Sequence, residues 1–163
     1  MSTVAERVSA RFASARNDAG LLQAGLHVEE VCALAYAAAA EGSLRGAARA
    51  EAERFAEHER RHAKAYATML YALTVPVREH ARAQDLEALL PGLAEAGERE
   101  ALRRLEELEE AAIAGQRLMA RRLRAREVLR TVAAVMAGGA QHLVVLRRRL
   151  GQSPPTKAFE TGA

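Results

Sequence analysis

Apolar side chains recur every three or four positions along most of this chain, and only a few places interrupt the runs they define. The first run, LLQAGLHVEEVCALAYAAAA at 21 to 40, reads as a helix that stops at Glu41-Gly42-Ser43. The second, AARAEAERFAEHERRHAKAYATMLYAL, extends a helix from about Gly46 through Leu73. Two more are predicted from Glu98 to Arg122 and from Arg124 to Leu150. Between the pairs, residues 74 to 97 carry Pro76, Pro91, Gly92 and Gly97 and one short helical piece around Asp85 to Leu90. That is too long for a hairpin turn and predicts a crossover. Residues 1–19 are expected to form an N-terminal helical extension, 20–150 a four-helix bundle, and 151–163 an irregular tail.

The two helix pairs repeat one another. A shift of 80 residues sets Val28-Glu29-Glu30-Val31 on Leu108-Glu109-Glu110-Ala111, and Arg61-His62-Ala63 on Gln141-His142-Leu143, without a gap. Glu29 and His62 are 33 residues apart, as are Glu109 and His142. A duplicated helical hairpin accounts for this. In such a hairpin, residues equidistant from the turn lie level, because both helices rise about 1.5 Å per residue. Glu29 and Glu59 straddle the predicted turn at 42 to 45 and should meet, with His62 one turn along the same face.

Facing direction sorts the adjacent acids. Glu109 shares its stripe with Leu102, Leu105, Ala112, Ile113 and Gln116, whereas Glu110 shares its own with Arg103, Glu106, Glu107 and Arg117. Glu109 therefore points inward and Glu110 outward. Likewise Glu29 lies with Leu22, Leu26, Cys32, Ala33 and Tyr36; Glu59 and His62 lie with Phe55, Tyr66, Met69 and Leu73; His142 lies with Val135, Val145 and Leu146. A carboxylate on an apolar stripe is costly to bury unless its charge is compensated, and a cation is the simplest compensation. A metal-free cluster, in which protonated imidazoles and carboxylates satisfy one another, is the other reading. Tyr36 is expected to pack near the cluster and donate a hydrogen bond, with Gln116 as its counterpart in the second half. Cys32 reads as a small core residue, and His27, His58 and His80 as surface residues.

Composition supports an all-α chain: aromatics make up 4% of the 163 residues, while Ala, Leu, Arg and Glu dominate. The net charge is +3, and most arginines are interleaved with glutamates, as on solvated helix faces. Two arginine clusters, at 121–126 and 147–149, lack interleaved aromatics on which bases could stack, so nucleic acid is the weakest partner reading. A single cysteine excludes an intrachain disulfide. The N-terminus is broken by charges every few residues, and no run approaches the roughly 20 apolar residues of a membrane span. A cytoplasmic protein without membrane partners is expected.

A Glu on each of two helices with Glu-x-x-His on each of the other two is the ligand pattern of di-iron carboxylate bundles. Glu29, Glu59-Arg60-Arg61-His62, Glu109 and His142 fall on five of those positions, and the chain resembles the ferritin-like domain proteins. Its closing stretch, GAQHLVVLRRRLGQSPPTKAFETG, resembles the end of bacterial members, so the likeness spans roughly residues 20 to 162. The resemblance implies a four-helix bundle with metal ligands Glu29, Glu59, His62, Glu109 and His142. Where the pattern has its sixth ligand, three before His142, this chain has Gly139, preceded by Gly138. In the family that Glu bridges two metals. Its absence implies an impaired site, suited to one cation: redox-active iron, or the manganese or zinc that the same oxygen and nitrogen donors accept. The alternative is a ferritin-like scaffold or interaction module with no metal. A homo-oligomer, a dimer, is the expected assembly.

Overall fold

The computed structural model describes residues 2–152, and the tail expected to be irregular lies outside them from residue 153 onward. Six helices and no strand occur among the described residues: α1 Val4–Ala13, α2 Asp18–Gly42, α3 Gly46–Ala72, α4 Ala83–Leu89, α5 Glu98–Arg122 and α6 Arg126–Arg149. The fold is all-α, with α2/α3 and α5/α6 as the two antiparallel hairpins. The last helix begins at Arg126, two residues later than its periodicity suggests, because Arg124 and Ala125 turn their backbone N–H groups onto the Asp18 carboxylate.

Local chemistry fixes where the helices begin. Thr3 and Glu6 form a reciprocal capping box at the start of α1, and Asn17 accepts from the Gly20 N–H at the start of α2. On α2 buried residues lie on every side, including Leu21, Leu22, Leu26, Val28, Cys32, Ala35 and Tyr36. Such a helix has to be covered all round. The first helix supplies part of the cover through Val8 and Phe12, packing on both α5 and α2. A Cβ at Gly115 of α5 would lie 2.2 Å from the Phe12 ring, so only glycine lets the ring sit against the helix. Arg122 then donates to the Phe12 and Ala15 carbonyls.

The crossover covers another flank of α2. Gln23 donates to the Pro76 carbonyl and accepts from the Arg78 N–H, while Glu30 takes the Ala81 N–H and the His80 ring. Ser43 donates to the Leu93 carbonyl at the far end. Glu30 thus faces outward, as its stripe predicts, and His80 is a surface residue.

Helix α6 corrects the expectation that no segment approaches a membrane span: by length and composition it qualifies. Its inner side packs in the bundle through Val128, Val132, Val135, Leu143 and Leu146. Small or apolar residues such as Leu129, Ala133, Ala137, Ala140 and Val144 on its outer side raise its apolar content. The arginine cluster that ends it is largely consumed within the chain: Arg147 pairs with Glu106 and Glu110, and Arg149 with Glu51.

Candidate metal centre

All five residues singled out by the repeat converge midway along the bundle, between α2, α3, α5 and α6. Glu29, Glu59, Glu109 and His142 are buried, and His62 is half-buried. Glu59 stands at the middle of the cluster. Its Oε2 lies 2.8 Å from Nδ1 of His62, and its Oε1 lies 2.7 Å from Nδ1 of His142. Each imidazole nitrogen faces a second carboxylate as well: Glu29 Oε2 at 3.2 Å from His62, and Glu109 Oε1 at 2.9 Å from His142. Two donor triads result, Glu29–Glu59–His62 and Glu59–Glu109–His142, and Glu59 belongs to both.

A single ring hydrogen cannot point at two oxygens. At His142 it is aligned with Glu109, so Glu59 Oε1, although close, is left without a hydrogen bond in a fully buried position. An orphaned buried carboxylate oxygen is expensive. A cation seated among the lone pairs of one Nδ1 and two carboxylates removes the conflict, so the donor set fits a first-row divalent metal.

The remaining oxygens are held across the halves of the repeat. Tyr36 on α2 donates to Glu109 Oε1 at 2.6 Å, and Gln116 on α5 donates to Glu29 Oε1. Tyr36 packs at the cluster and donates a hydrogen bond as expected, Gln116 is its counterpart, and each serves the Glu of the facing helix rather than of its own. Side chains at i and i+7 on one helix are two turns apart, about 10 Å, which is beyond hydrogen-bond reach, whereas the facing helix is adjacent.

Three further contacts were not anticipated. Phe55 stacks on His142 with ring centroids 4.1 Å apart and fixes the plane of the imidazole. His58, exposed as expected, places Nδ1 at 3.1 Å from Nε2 of His142 and so touches the buried ligand from outside. Its position four before His62 was the available signal. Gly138 makes room for His62: a Cβ there would lie 2.6 Å from the ring. At Gly139 a Cβ would lie 3.1 Å from Glu109 Oε2, on the inner face where the pattern has its sixth ligand.

Electrostatics describe the metal-free state. Burial pushes the Glu29 carboxyl well above the usual carboxylate range, and the Glu59 charge adds to the effect. Burial opposes ionisation of Glu59 too, but the hydrogen bond from His62 and the His142 imidazolium beside its other oxygen outweigh it and hold that carboxyl below its usual value. Burial raises Glu109 to about 7, against the hydrogen bond from His142. Although burial disfavours their charge, bonds to Glu29 and Glu59 push His62 up to about 10, and the bond to Glu109 together with the adjacent Glu59 carboxylate pushes His142 to about 9. Near neutrality one firm anion, Glu59, therefore sits between two imidazolium groups. Burial also raises Cys32 far above the range in which a thiolate forms, consistent with a core residue.

The sequence profile described as a ferritin-like domain matches residues 17–152. The chain belongs to the ferritin-like domain family. Among solved structures, this ferritin-like protein is similar to a conserved hypothetical protein from Mycobacterium tuberculosis, with a TM-score of 0.71 at 19% identity, covering 88% of this chain and 96% of that one. At that identity the likeness concerns the fold alone. No curated protein matches the chain.

Proposed function

We propose that this ferritin-like protein binds one redox-active divalent cation, iron by preference, in the bundle centre, with a second position that fills only weakly. The observation that carries the reading is the sharing of Glu59 between two donor triads, with one of its oxygens orphaned. Charge balance supports a strong first site and a weak second. One divalent cation against three carboxylates leaves a net charge of −1, but two leave +1 in a buried cluster, and the Glu that would neutralise it is replaced by Gly139.

A bound Fe or Mn would supply electron transfer or Lewis acidity at a position that three protein side chains would hold. The chain's own part is to orient and to manage protons. Phe55 and Gly138 set the planes of the two imidazoles, while Tyr36 and Gln116 direct the terminal carboxylates. His62 and His142 must release their Nδ1 protons for the cation to enter, and His58 offers an acceptor at the outer nitrogen of His142.

The test is the metal content of protein prepared without chelator, followed by anaerobic Fe(II) titration. About one tight equivalent in the parent, lost in Glu59→Ala and rising toward two in Gly139→Glu, is the expected result. Two equal equivalents in the parent would contradict the charge argument. A parent that takes up no metal would support the second reading, a non-catalytic scaffold, which the internal pairing of Glu59 with His62 and His142 favours.

A further inference from the structure

On the opposite side of α2 from Glu29, a hollow of about 490 Å³ opens between the end of α1, the first turns of α2 and the crossover. Its wall carries Arg11, Arg16 and Arg78, against the single acid Glu79. Arg11 and Glu79 pair at 3.5 Å, while the Arg16 and Arg78 guanidinium groups meet no carboxylate among the described residues. Two positive charges are thus uncompensated around one concavity.

The first turn of α2 adds to them. Ala19 and Gly20 line the hollow at the start of a 25-residue helix whose dipole favours negative charge there, although Asn17 already takes the Gly20 N–H and Asp18 already gives the first turn one acid. The second, independent feature is His27. It was expected on the surface, yet it is 4% exposed, lines the hollow, and its Nδ1 has no hydrogen-bond partner. Burial follows from the cover that α1 and the crossover give to α2. Burial lowers its pKa, with the Arg11 charge adding to the effect against Asp85, Glu79 and Glu30, and an imidazole so enclosed without a hydrogen bond is a cost that few buried polar groups carry.

We infer that this hollow is a binding site for a small oxyanion of the phosphate or carboxylate type, held by the Arg16 and Arg78 guanidinium groups and the His27 ring at the N-terminal end of α2. Forked guanidinium donors suit both oxyanions, and the hollow is large enough for a small metabolite bearing one. It is separate from the five-residue cluster and does not depend on metal.

The experiment uses the full chain stripped of metal by a chelator that is then dialysed away, so that an anion cannot be captured by a cation. Calorimetric titrations with inorganic phosphate and with malonate, at ionic strength fixed by chloride, separate the two chemistries. One equivalent of either anion should bind, moving the His27 ring resonances. Binding should weaken about tenfold or more on Arg16→Gln with Arg78→Gln, both exposed positions remote from the core. His27→Gln, which keeps a donor, should bind more tightly than His27→Phe. Neither anion binding above the chloride background, or equal binding to the double-arginine variant, overturns the assignment.

Discussion

Loading the centre with metal should release protons, and the number follows from the charges in the cluster. A cation held by Glu29, Glu59 and His62 needs all three in their basic forms. Glu59 is already ionised, burial favours the neutral form of Glu29, and His62 holds its proton up to about 10. The His62 proton must leave, so between pH 6 and 8 the apparent dissociation constant should fall by at least about tenfold per pH unit, and more steeply where Glu29 also gives up a proton. At the other triad, His142 gives up one proton and Glu109, at about 7, roughly half of one, so the dependence there is shallower. Zinc, which is redox-silent, suits the measurement. Competition against a chelator of known titration gives the slope, and calorimetry at pH 7 in buffers of different ionisation enthalpy counts the protons directly. In Glu29→Gln any proton from that carboxyl is gone, and the slope should settle at about tenfold per unit, the His62 proton alone. A pH-independent affinity, with no protons released, would refute the reasoning: the cluster would then hold ionised carboxylates and neutral imidazoles before any metal arrived.

Other expectations follow from the same geometry. Without metal, His62 and His142 have folded values of about 10 and about 9 against an ordinary 6.5, so the stability they confer is complete below 6.5 and lost as pH rises through 9 to 10. The raised carboxyls Glu29 and Glu109 act in the same direction from 4.5 upward, and a melting temperature that stays level from pH 6.5 to 10 would contradict this. Glu59→Gln removes the anion both imidazolium groups share and should destabilise the metal-free protein by about 3–5 kcal/mol, some 6–20 °C in melting temperature. A loss under about 1 kcal/mol in chemical denaturation would show that the pairs contribute little. Gly138→Ala forces the His62 ring to move and should weaken metal binding about tenfold or more while circular dichroism and melting stay near the parent's. Unchanged affinity would mean that His62 is not a ligand.

The helices, the repeat and the convergence of five polar residues were legible because they rest on spacing: 33 residues between Glu and His in each half, and stripes of period 3.6. What escaped depends on neighbours. Tyr36 and Gln116 exchange partners across the halves, which no pattern within one half can reveal. His27 appeared superficial from its own helix, but α1 and the crossover close over that side of α2, and periodicity is silent where a helix is apolar all round. The apolar content of α6 was underestimated for a related reason: its arginines sit at the two ends, leaving the middle without charges.

Phe12 has a seat that does not exist when it is made. Its carbonyl partner Arg122 comes 110 residues later, and the Gly115 gap that admits its ring is also on α5. At about 5–20 residues per second, roughly 5 to 20 s of synthesis separate the ring from its site. During that interval the ten residues of α1 lack the packing on α5 that covers their apolar side, and so short a helix has little stability alone. A segment made before both hairpins is thus among the last to dock, and Val8 and Phe12 have no α5 to pack against until the second hairpin arrives.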